Sequence, residues 1–600
     1  MDELNFDFNK YKDTIAVIYQ NKKYTYGYMN YLKYVLINSM EKLIEENRST
    51  GGTVLIMLDR SPMLLASMWA AINLNYTYVL IDTLMPEERI RFIAADTGAD
   101  LVITEEQYKI IFDNRNCLLV DSINIIIPSE FSDSAMNFEI PQIDRNNPFA
   151  YFLYTSGSTG KPKGVRITRK NLIYFFHSFS QEIRFEGKIA SFTSISFDIF
   201  FLESILSFYN GITVILADEQ EKGNPRLMCD LIKRYDADMV QLTPSGMQML
   251  INYDKELGAL SCIKKIMLGG EALPNSMLKH LQAHLPKTRI YNLYGPTETT
   301  IWVTVADLTD EDEVSIGHPI EGAEIFILDK NMNEVPDGEK GELCITGNTV
   351  GAGYINRDEV TRERFVYNDS IKRNMYRTGD YAVRGKNGKL YCLGRLDNQI
   401  KLHGHRIELE EIENVIRAVD GISNVIAFVQ KNRNGDSLAA LYTATKEVTE
   451  SQIRSYMEKK VPDYMIPDKL YQTESLMFTL NGKVDRKRSL SRLEEQLKEK
   501  VIEDMELNKQ EVGHSDLLLE QIMEVINEVS EEVACPIQYT TLLSDISLDS
   551  LTFVKFIISA ESKFGIRFDS EKMGVHNYRT IQDLADYINV KKSGALNNER

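Results

Sequence analysis

The sequence contains no run of eighteen apolar residues, and this absence predicts no transmembrane helix. Its cysteines are few and scattered, and none forms a C-x-x-C pair; they stand at positions 117, 229, 262, 344, 392 and 535. This spacing favours reduced thiols in the cytoplasm over disulfides or a metal site. The acidic start, Met-Asp-Glu-Leu-Asn-Phe-Asp, is unlike a signal peptide. We therefore expect a cytoplasmic protein with no membrane partner.

Basic residues are scarce relative to acidic ones. Lys and Arg total 68 against 87 Asp and Glu, which gives a formal net charge of −19. So acidic a chain argues against nucleic acid or an anionic membrane as its main partner. The eight histidines show no ligand spacing, and His403 and His405 are expected to be solvated in a polar segment.

The length predicts several domains, because 600 residues exceed what one core accommodates. Apolar runs alternate with helical patterns as far as residue 293, as in a parallel sheet with covered faces. Short strands and turns follow from about 312. We predict an α/β fold with a large N-terminal body, a small α+β domain and a third domain of helical periodicity. The expected boundaries are 1–396, 397–488, a charged linker at 489–514, the helical domain at 515–592 and a tail at 593–600.

One segment, from Tyr154 to Gly164, reads Tyr-Thr-Ser-Gly-Ser-Thr-Gly-Lys-Pro-Lys-Gly. Its glycines allow the backbone to approach a ligand closely, and its hydroxyl and ammonium groups suit a polyphosphate. The apolar run 149–154 before it indicates a buried strand, and a helix is expected from Asn171. The glycine spacing differs from that of a Walker A loop. Taken alone, the segment could equally be a solvated loop.

The whole eleven-residue string resembles the signature loop of the adenylate-forming superfamily, which includes acyl-CoA ligases, luciferases and the adenylation domains of nonribosomal peptide synthetases. Other motifs of that family follow in its order over nearly the whole chain. The resemblance implies an acyl-CoA synthetase-like body, ATP as a substrate and a set of nucleotide-binding residues. These are Thr155, Ser156, Gly157, Ser158, Thr159, Gly160, Lys163, Asn292, Tyr294, Gly295, Thr297, Asp380 and Arg395.

The same resemblance assigns particular roles to some of these motifs. Tyr294 would lie against adenine, and Glu298 would hold Mg²⁺, which prefers hard oxygen ligands. Asp380 would bind the ribose, because a carboxylate can accept from both hydroxyls. Asp397 matches the family's hinge position. The implied catalytic residues are Thr155, Glu298 and Lys483.

Lys483, in Asn-Gly-Lys-Val-Asp-Arg, would stabilise the charge that develops on the α-phosphate. It also belongs to the residues that align with the family's specificity pocket: Asp198, Ile199, Leu202, Gln241, Met267, Gly269, Leu293, Ile301, Trp302 and Lys483. This set resembles that of glycine-activating domains. Asp198 would bind the substrate ammonium, and Trp302 would help to fill the space of a larger side chain. We expect glycine as the substrate and alanine as its main competitor, because one methyl is hard to exclude by binding alone.

Near the C-terminus, Ser-Leu-Asp-Ser-Leu at 547–551 resembles the attachment site of carrier proteins. The stretch 515–592 would then be a four-helix peptidyl carrier domain with 4′-phosphopantetheine on Ser550. A helix start favours the phosphodiester of that group, although Asp-Ser is also a common helix cap. A phosphopantetheinyl transferase and a downstream condensation or tailoring enzyme are the implied partners. Whether a small helper protein is needed is not decided by the sequence.

Together these features predict a ligase that forms glycyl-AMP and transfers the glycyl group to the carrier thiol, in nonribosomal peptide biosynthesis. One alternative is an acyl-acid or aryl-acid ligase of the same superfamily, which Asp198 and the fused carrier disfavour; a D-alanine-type ligase is a further alternative. The other is a catalytically silent docking scaffold, which the retained Glu298 and Lys483 disfavour. The chain departs from the family pattern at three positions: Leu80 for proline, Arg169 for histidine and Ser547 for glycine.

Overall fold

The structure is a computed structural model of the 600-residue chain. It describes residues 6–47, 52–99, 101–112, 115–123, 125, 147–157, 160–402, 404–432, 435–477, 484–508, 517–529, 541, 543–546, 550–569, 572, 578 and 580–596. The chain divides into two compact units. The first comprises Met1–Glu411 with Lys459–Pro462, and the second comprises Ile412–Glu458 with Asp463–Arg600.

The first unit begins with two mainly parallel sheets, as the alternating pattern predicts. Their strands are β1 (Ile15–Tyr19), β2 (Lys22–Thr25), β3 (Thr53–Met57), β4 (Thr77–Leu80), β5 (Leu101–Thr104), β6 (Asn116–Leu119), β7 (Phe149–Thr155), β8 (Lys163–Thr168), β9 (Lys188–Ser191), β10 (Thr213–Leu216), β11 (Met239–Leu242), β12 (Lys265–Gly269), β13 (Arg289–Tyr294), β14 (Thr304–Asp307) and β15 (His318–Pro319).

Helices connect these strands, as parallel neighbours require. They are α1 (Tyr26–Asn47), α2 (Pro62–Asn73), α3 (Glu87–Thr97), α4 (Arg169–Glu182), α5 (Ser207–Tyr209), α6 (Glu219–Lys222), α7 (Pro225–Tyr235), α8 (Pro244–Tyr253) and α9 (Asn275–His284), with a π-helical segment at Leu202–Leu206 just before α5. Several begin with side-chain caps; Thr243, for example, accepts the N–H of Gly246 at the start of α8.

The order of the strands determines where a ligand can bind. One sheet has the order β6-β5-β3-β4-β7-β8, and the other has the order β15-β14-β13-β12-β11-β9-β10-β1-β2. In the second sheet β11, β12 and β13 are adjacent and parallel, so their carboxyl ends meet at one edge. Ligands of open α/β sheets bind beyond the carboxyl ends of such strands.

The predicted change of texture after residue 312 corresponds to a smaller antiparallel sheet. It is built from β16 (Ala323–Leu328), β17 (Lys340–Gly347), β18 (Phe365–Asn368), β19 (Arg373–Arg384) and β20 (Leu390–Arg395), with α10 (Asp358–Arg364) between β17 and β18. A two-stranded ribbon follows, formed by β21 (Gln399–Leu402) and β22 (His405–Glu408). In this structure the residues from Asp397 to Glu411 belong to the first unit, so the predicted boundary at 397 stays a prediction.

The second unit starts within α11 (Leu409–Arg417). It contains a three-stranded sheet and two helices: β23 (Ile422–Asn432), β24 (Gly435–Ala444), α12 (Glu450–Met457), β25 (Lys469–Gln472) and α13 (Arg486–Asn508). The residues expected to be a linker, partly helical at most, are helical as far as Asn508. Leu493 explains part of this difference, because it is buried against Ile426 and Leu441 of the small sheet.

The carrier-like region of the second unit has a helical core, as the apolar spacing predicts. Its described elements are α14 (Leu517–Val529), a 3₁₀ turn (Leu543–Ile546), α15 (Ser550–Phe564) and α16 (Ile581–Leu596), which extends into the expected tail. Ile522, Val525 and Ile526 of α14 are fully buried against Phe553 and Ile557 of α15. Within the described helices, none is long and apolar enough to cross a membrane.

Candidate active site

The glycine-rich loop joins β7 to β8, which pair as an antiparallel hairpin. A second strand therefore follows the loop, and α4 then begins at Arg169, within two residues of the predicted helix start at Asn171. Gly157 needs its lack of a side chain, because a Cβ there would clash with the carbonyl oxygen of Lys161. The Thr155 hydroxyl is buried and has no hydrogen-bond partner among the described residues. Gly160 follows at the loop tip with φ 79°, whereas Ser158 and Thr159 lie outside the described residues.

The predicted magnesium ligand, Glu298, is fully buried in the 3₁₀ turn Thr297–Thr299. Burial alone would raise its pKa, but Arg406 and Lys163 outweigh that effect and hold the pKa at about 2. Arg406 Nη1 lies 2.6 Å from one carboxylate oxygen, and the Tyr354 hydroxyl donates to the other at 2.6 Å. Such an ionised, buried carboxylate fits Mg²⁺, whose preferred ligands are hard oxygens.

The ribbon β21–β22 and the start of α11 lie on the glycine-rich loop. The Ser156 hydroxyl donates to the carbonyl of Arg406 at 2.7 Å and accepts the N–H of Glu408 at 3.1 Å. Lys163 Nζ lies 3.2 Å from Glu408 Oε1, and the N–H of Gly157 donates to Glu411 at 2.9 Å. Groups expected to bind phosphate are thus engaged by the segment 406–411.

A series of hydrogen bonds and ion pairs links the predicted adenine, ribose and hinge residues. The Tyr294 hydroxyl donates to Asp380 Oδ2 at 2.6 Å, and Arg395 Nη1 lies 2.9 Å from Asp380 Oδ1. The same guanidinium donates to both oxygens of Asp397, at 2.7 and 2.8 Å. Burial would raise the pKa of Asp397, yet Arg395 and Arg364 hold it at about 2. The hinge carboxylate is therefore ionised and held by two guanidinium groups.

The predicted pocket residues come together at the carboxyl ends of β11, β12 and β13. Gln241 is the partner of Met267 in the strand register, and Gly269 is the partner of Leu293. Asn292 and Tyr294 belong to β13 as well, with Gly295 and Thr297 directly after it. The pocket side chains that the structure describes are all buried: Asp198, Ile199, Leu202, Gln241, Met267, Leu293, Ile301 and Trp302.

Asp198 is a buried carboxylate in the turn before the π-helical segment. Burial, together with the nearby charge of Glu298, raises its pKa to about 6, against the opposing effect of the Thr297 hydroxyl and two backbone N–H groups. Its Oδ2 has no hydrogen-bond partner, and no described Lys, Arg or His forms an ion pair with it. A buried carboxylate in this state favours a cationic ligand, because an unpaired buried charge is costly.

Three residues singled out in the sequence lie in parts of the chain that the structure does not describe, or describes by backbone alone. Lys483 lies outside the described residues, between 477 and 484. Ser550 is the first residue of α15, as expected for a group attached at a helix start, and its side chain is not described. Ser547 also lies outside the described residues.

Sequence reasoning missed the charged residues that surround the nucleotide loop. Arg406 and Glu408 lie in the motif Gly-His-Arg-Ile-Glu, where a cation and a carboxylate two residues apart in a strand were a usable signal. Arg169, which replaces a histidine, is a structural residue here, because it donates to the carbonyl oxygens of Asn147, Ile72 and Tyr76.

Comparison with known proteins matches three regions of the chain to family models. Residues 5–355 match the family model "AMP-binding enzyme", residues 411–483 match "AMP-binding enzyme C-terminal domain", and residues 520–588 match "Phosphopantetheine attachment site". The dimodular nonribosomal peptide synthase of Bacillus subtilis (strain 168) is 35% identical over 466 residues, which are 74% of this chain and 19% of that protein. The chain thus spans about a fifth of the length of that curated relative.

Two solved structures share the fold. Holo-PA1221, a nonribosomal peptide synthetase protein with adenylation and carrier domains, has a TM-score of 0.74 and 20% identity, and the match covers 97% of this chain and 96% of that one. The Vibrio cholerae adenylation domain AlmE, in complex with glycyl-adenosine-5′-phosphate, has a TM-score of 0.70 and 22% identity, covering 81% and 96%.

The chain belongs to the AMP-binding enzymes, because that family's model covers more than half of it. Its C-terminal AMP-binding domain and its phosphopantetheine attachment site complete the adenylation–carrier organisation of nonribosomal peptide synthetases. The body is therefore the adenylation domain of an AMP-forming ligase, and it is followed by a carrier domain.

Proposed function

We propose that this chain activates glycine as glycyl-AMP and passes the glycyl group to its own carrier domain at Ser550. The observation that carries the proposal is Asp198, a buried carboxylate without a cationic partner in the described chain. A substrate ammonium would supply the missing charge. Fatty and aryl acids carry no such cation and would leave the carboxylate unpaired.

The packing around Asp198 supports a substrate without a side chain. Trp302 lies against Gly269, where a Cβ would come within 2.6 Å of the indole Cη2. Met267 and Leu293 are fully or almost fully buried in the neighbouring strands. Extra methylenes in so dense a site cost about 1–3 kcal/mol. Alanine, which is one methyl larger than glycine, is the competitor that this packing excludes least.

The nucleotide side of the reaction follows from the loop and its neighbours. In the forward step the glycine carboxylate attacks the α-phosphorus of ATP, the bond to the β-phosphate oxygen breaks, and pyrophosphate leaves. Lys163 and the Thr155 hydroxyl would bind phosphate oxygens, Asp380 the ribose, and Glu298 a magnesium ion. That ion, when bound, neutralises charge on the phosphates. Phosphopantetheine on Ser550 supplies the thiol that accepts the glycyl group.

Amino-acid-dependent ATP–pyrophosphate exchange tests the proposal. All proteinogenic amino acids and a few aryl and fatty acids are compared, and glycine is expected to give the strongest signal, with alanine second. A strong signal for a larger amino acid would contradict the packing argument at Trp302. Exchange with aryl or fatty acids alone would contradict the role of Asp198. An absence of exchange, together with an absence of ATP binding, would favour a docking scaffold.

Lys483→Ala is expected to lower glycine-dependent exchange by about 10²–10³, because the charge developing on the α-phosphate loses an electrostatic partner. The circular dichroism spectrum and Tm should be unchanged. Lys487→Ala is the matched control, since Lys487 lies four residues further along and is exposed in α13. Near wild-type exchange in Lys483→Ala would show that the assignment is wrong.

The proposal also defines partners and setting. A phosphopantetheinyl transferase must modify Ser550, and a downstream condensation or tailoring enzyme must accept the loaded glycyl group. We place these events in the cytoplasm, where the scattered thiols stay reduced. Five cysteines of the described residues are free thiols: Cys117, Cys229, Cys262, Cys344 and Cys392.

A further inference from the structure

A chain of buried hydrogen bonds begins at the pocket residue Trp302. Trp302 Nε1 donates to Gln241 Oε1 at 2.9 Å. The amide nitrogen of Gln241 in turn donates to the carbonyl of Ile199 at 2.9 Å and to Glu203 Oε1 at 3.0 Å. Gln241, Glu203 and Trp302 are each at most 1% exposed. Glu203 has received no role in the steps described above.

The direction of this series of hydrogen bonds depends on the carboxylate of Glu203. An indole N–H can only donate, so Trp302 needs the amide oxygen of Gln241 to face it. Glu203 and the carbonyl of Ile199 are acceptors, and they therefore hold the amide nitrogen on the other side. If the amide turned over, it would present N–H groups to the indole N–H and an oxygen to a carboxylate. The indole N–H, the carbonyl of Ile199 and both ends of the amide would then be unpaired.

Glu203 is itself firmly placed. It accepts hydrogen bonds from the Ser191 hydroxyl at 2.8 Å, from the N–H of Thr193 at 3.1 Å and from the Thr193 hydroxyl. Arg60, which is fully buried, donates to the carbonyl of Ser191 at 2.7 Å and to its hydroxyl at 2.9 Å. Burial raises the pKa of Glu203, whereas the hydrogen bond from Thr193 and the charge of Arg60 oppose that rise and favour the ionised form. The network thus spans α2's capping segment, β9 and the pocket strand β11.

Local backbone geometry also marks this position. Glu203 belongs to the π-helical segment Leu202–Leu206, and its neighbour Leu202 is a predicted pocket residue. Single π-helical turns are rare in proteins, and those that occur are often found at functional sites. On the other side of the pocket, Thr300 and Ile301 both have positive φ, 63° and 67°, directly before Trp302. Strained residues of this kind persist only where their surroundings fix them.

We infer that Glu203 is the residue that positions the glycine-selecting side chain: by fixing the Gln241 amide, it keeps the Trp302 indole in the space of a substrate side chain. This inference rests on the proposed function. Gly269 limits the indole from one side and the Gln241 amide holds its nitrogen. Glu203 acts through both side chains and does not touch the substrate, so it should govern selectivity more than glycine turnover.

The test compares kcat/KM for glycine and alanine in ATP–pyrophosphate exchange, for the full chain and for Glu203→Gln. In a close-fitting pocket, one methyl group changes the ratio of kcat/KM values for two substrates by about 10–200-fold. We expect the glycine-to-alanine ratio to fall about tenfold in Glu203→Gln, mainly through a better alanine KM, while the glycine kcat changes less than threefold. Glu256→Gln, an exposed carboxylate on the first unit, is the matched control and should leave the ratio unchanged.

A substrate-free measurement separates this inference from the proposed function. The chain has two tryptophans, and a loosened Trp302 should shift the emission maximum of Glu203→Gln relative to wild type and to Glu256→Gln. The double variant Glu203→Gln with Gln241→Glu reverses the polarity of the bond between positions 203 and 241. It should recover part of the emission and of the ratio.

The outcomes are distinct. If wild type selects glycine, and folded Glu203→Gln keeps the same glycine-to-alanine ratio and the same emission, this inference alone is overturned. A wild type that prefers another amino acid overturns the proposed function and this inference together. If Glu203→Gln fails to fold, Glu203→Asp, which withdraws the carboxylate by one methylene, is measured instead, and an unchanged ratio there overturns the inference.

Discussion

Asp198→Asn is expected to lower the rate of glycine-dependent exchange about 10³-fold and to make the protein more stable. Removing one member of a buried ion pair costs about 3–5 kcal/mol, because the remaining charge is left unpaired. In the variant, that charge would be the substrate ammonium. Exchange kinetics with glycine measure the loss, and the effect should be largest in kcat/KM.

The gain in stability has a pH dependence whose sign follows from the raised pKa. Because burial raises the pKa of Asp198 to about 6 from 3.8, the folded protein binds the proton more tightly than the unfolded chain. Asp198 therefore destabilises the fold as pH rises from about 4 to about 6, by up to about 3 kcal/mol above that range. Asparagine carries no such cost. The Tm difference between Asp198→Asn and wild type should be large at pH 7.5 and small at pH 4.

The same titration predicts weaker glycine binding in acid. Below about pH 6 the wild-type carboxylate takes up a proton, so the KM for glycine should rise as pH falls. Asp230→Asn is a suitable control, because Asp230 is exposed on α7. A variant that is neither more stable at pH 7.5 nor impaired with glycine would show that Asp198 is not the buried, unpaired carboxylate described above.

Ser550→Ala is expected to abolish loading of the carrier domain and to leave adenylation intact. The hydroxyl is the attachment point, so no phosphopantetheine can be added and no thiol is available. Intact-protein mass spectrometry after treatment with a phosphopantetheinyl transferase, CoA, ATP and glycine measures this directly. Wild type should gain the phosphopantetheine mass and then the glycyl mass, whereas the variant should gain neither.

Ser559→Ala provides the control on the same helix, because Ser559 lies within α15 and not at its start. It should load like wild type. Glycine-dependent exchange should be equal in all three proteins, since the carrier takes no part in that step. A loaded Ser550→Ala protein would show that the attachment site lies elsewhere in the chain.

Much of the fold was predictable because its signals are local. The apolar runs that alternate with helical patterns as far as residue 293 form strands of the two sheets, among them Thr53–Met57, Leu101–Thr104 and Met239–Leu242. Local apolar runs bounded by turns are what strand prediction detects. The helix α13 was not predicted over its full length, because few large apolar residues mark it and its packing partners lie in a distant sheet.

The polar contacts of the site were less predictable, because they join residues far apart in the chain. The register of β11, β12 and β13 brings Gln241, Met267 and Leu293 together, and only a family alignment anticipates that. The pairing of Arg406 with Glu298 spans 108 residues. The environment of Glu203 combines Arg60, Ser191, Thr193 and Gln241, whose proximity follows from strand order and not from any local pattern.

The segment 406–411 on the glycine-rich loop bears on the direction of the reaction. In this arrangement Glu408 engages Lys163 and Ser156, Glu411 engages Gly157, and Arg406 engages Glu298. If the loop binds phosphates as proposed, pyrophosphate returning to it would first have to displace these buried contacts. Reversal of adenylation in this arrangement would carry that free-energy cost, so the contacts of segment 406–411 would disfavour pyrophosphorolysis of the adenylate.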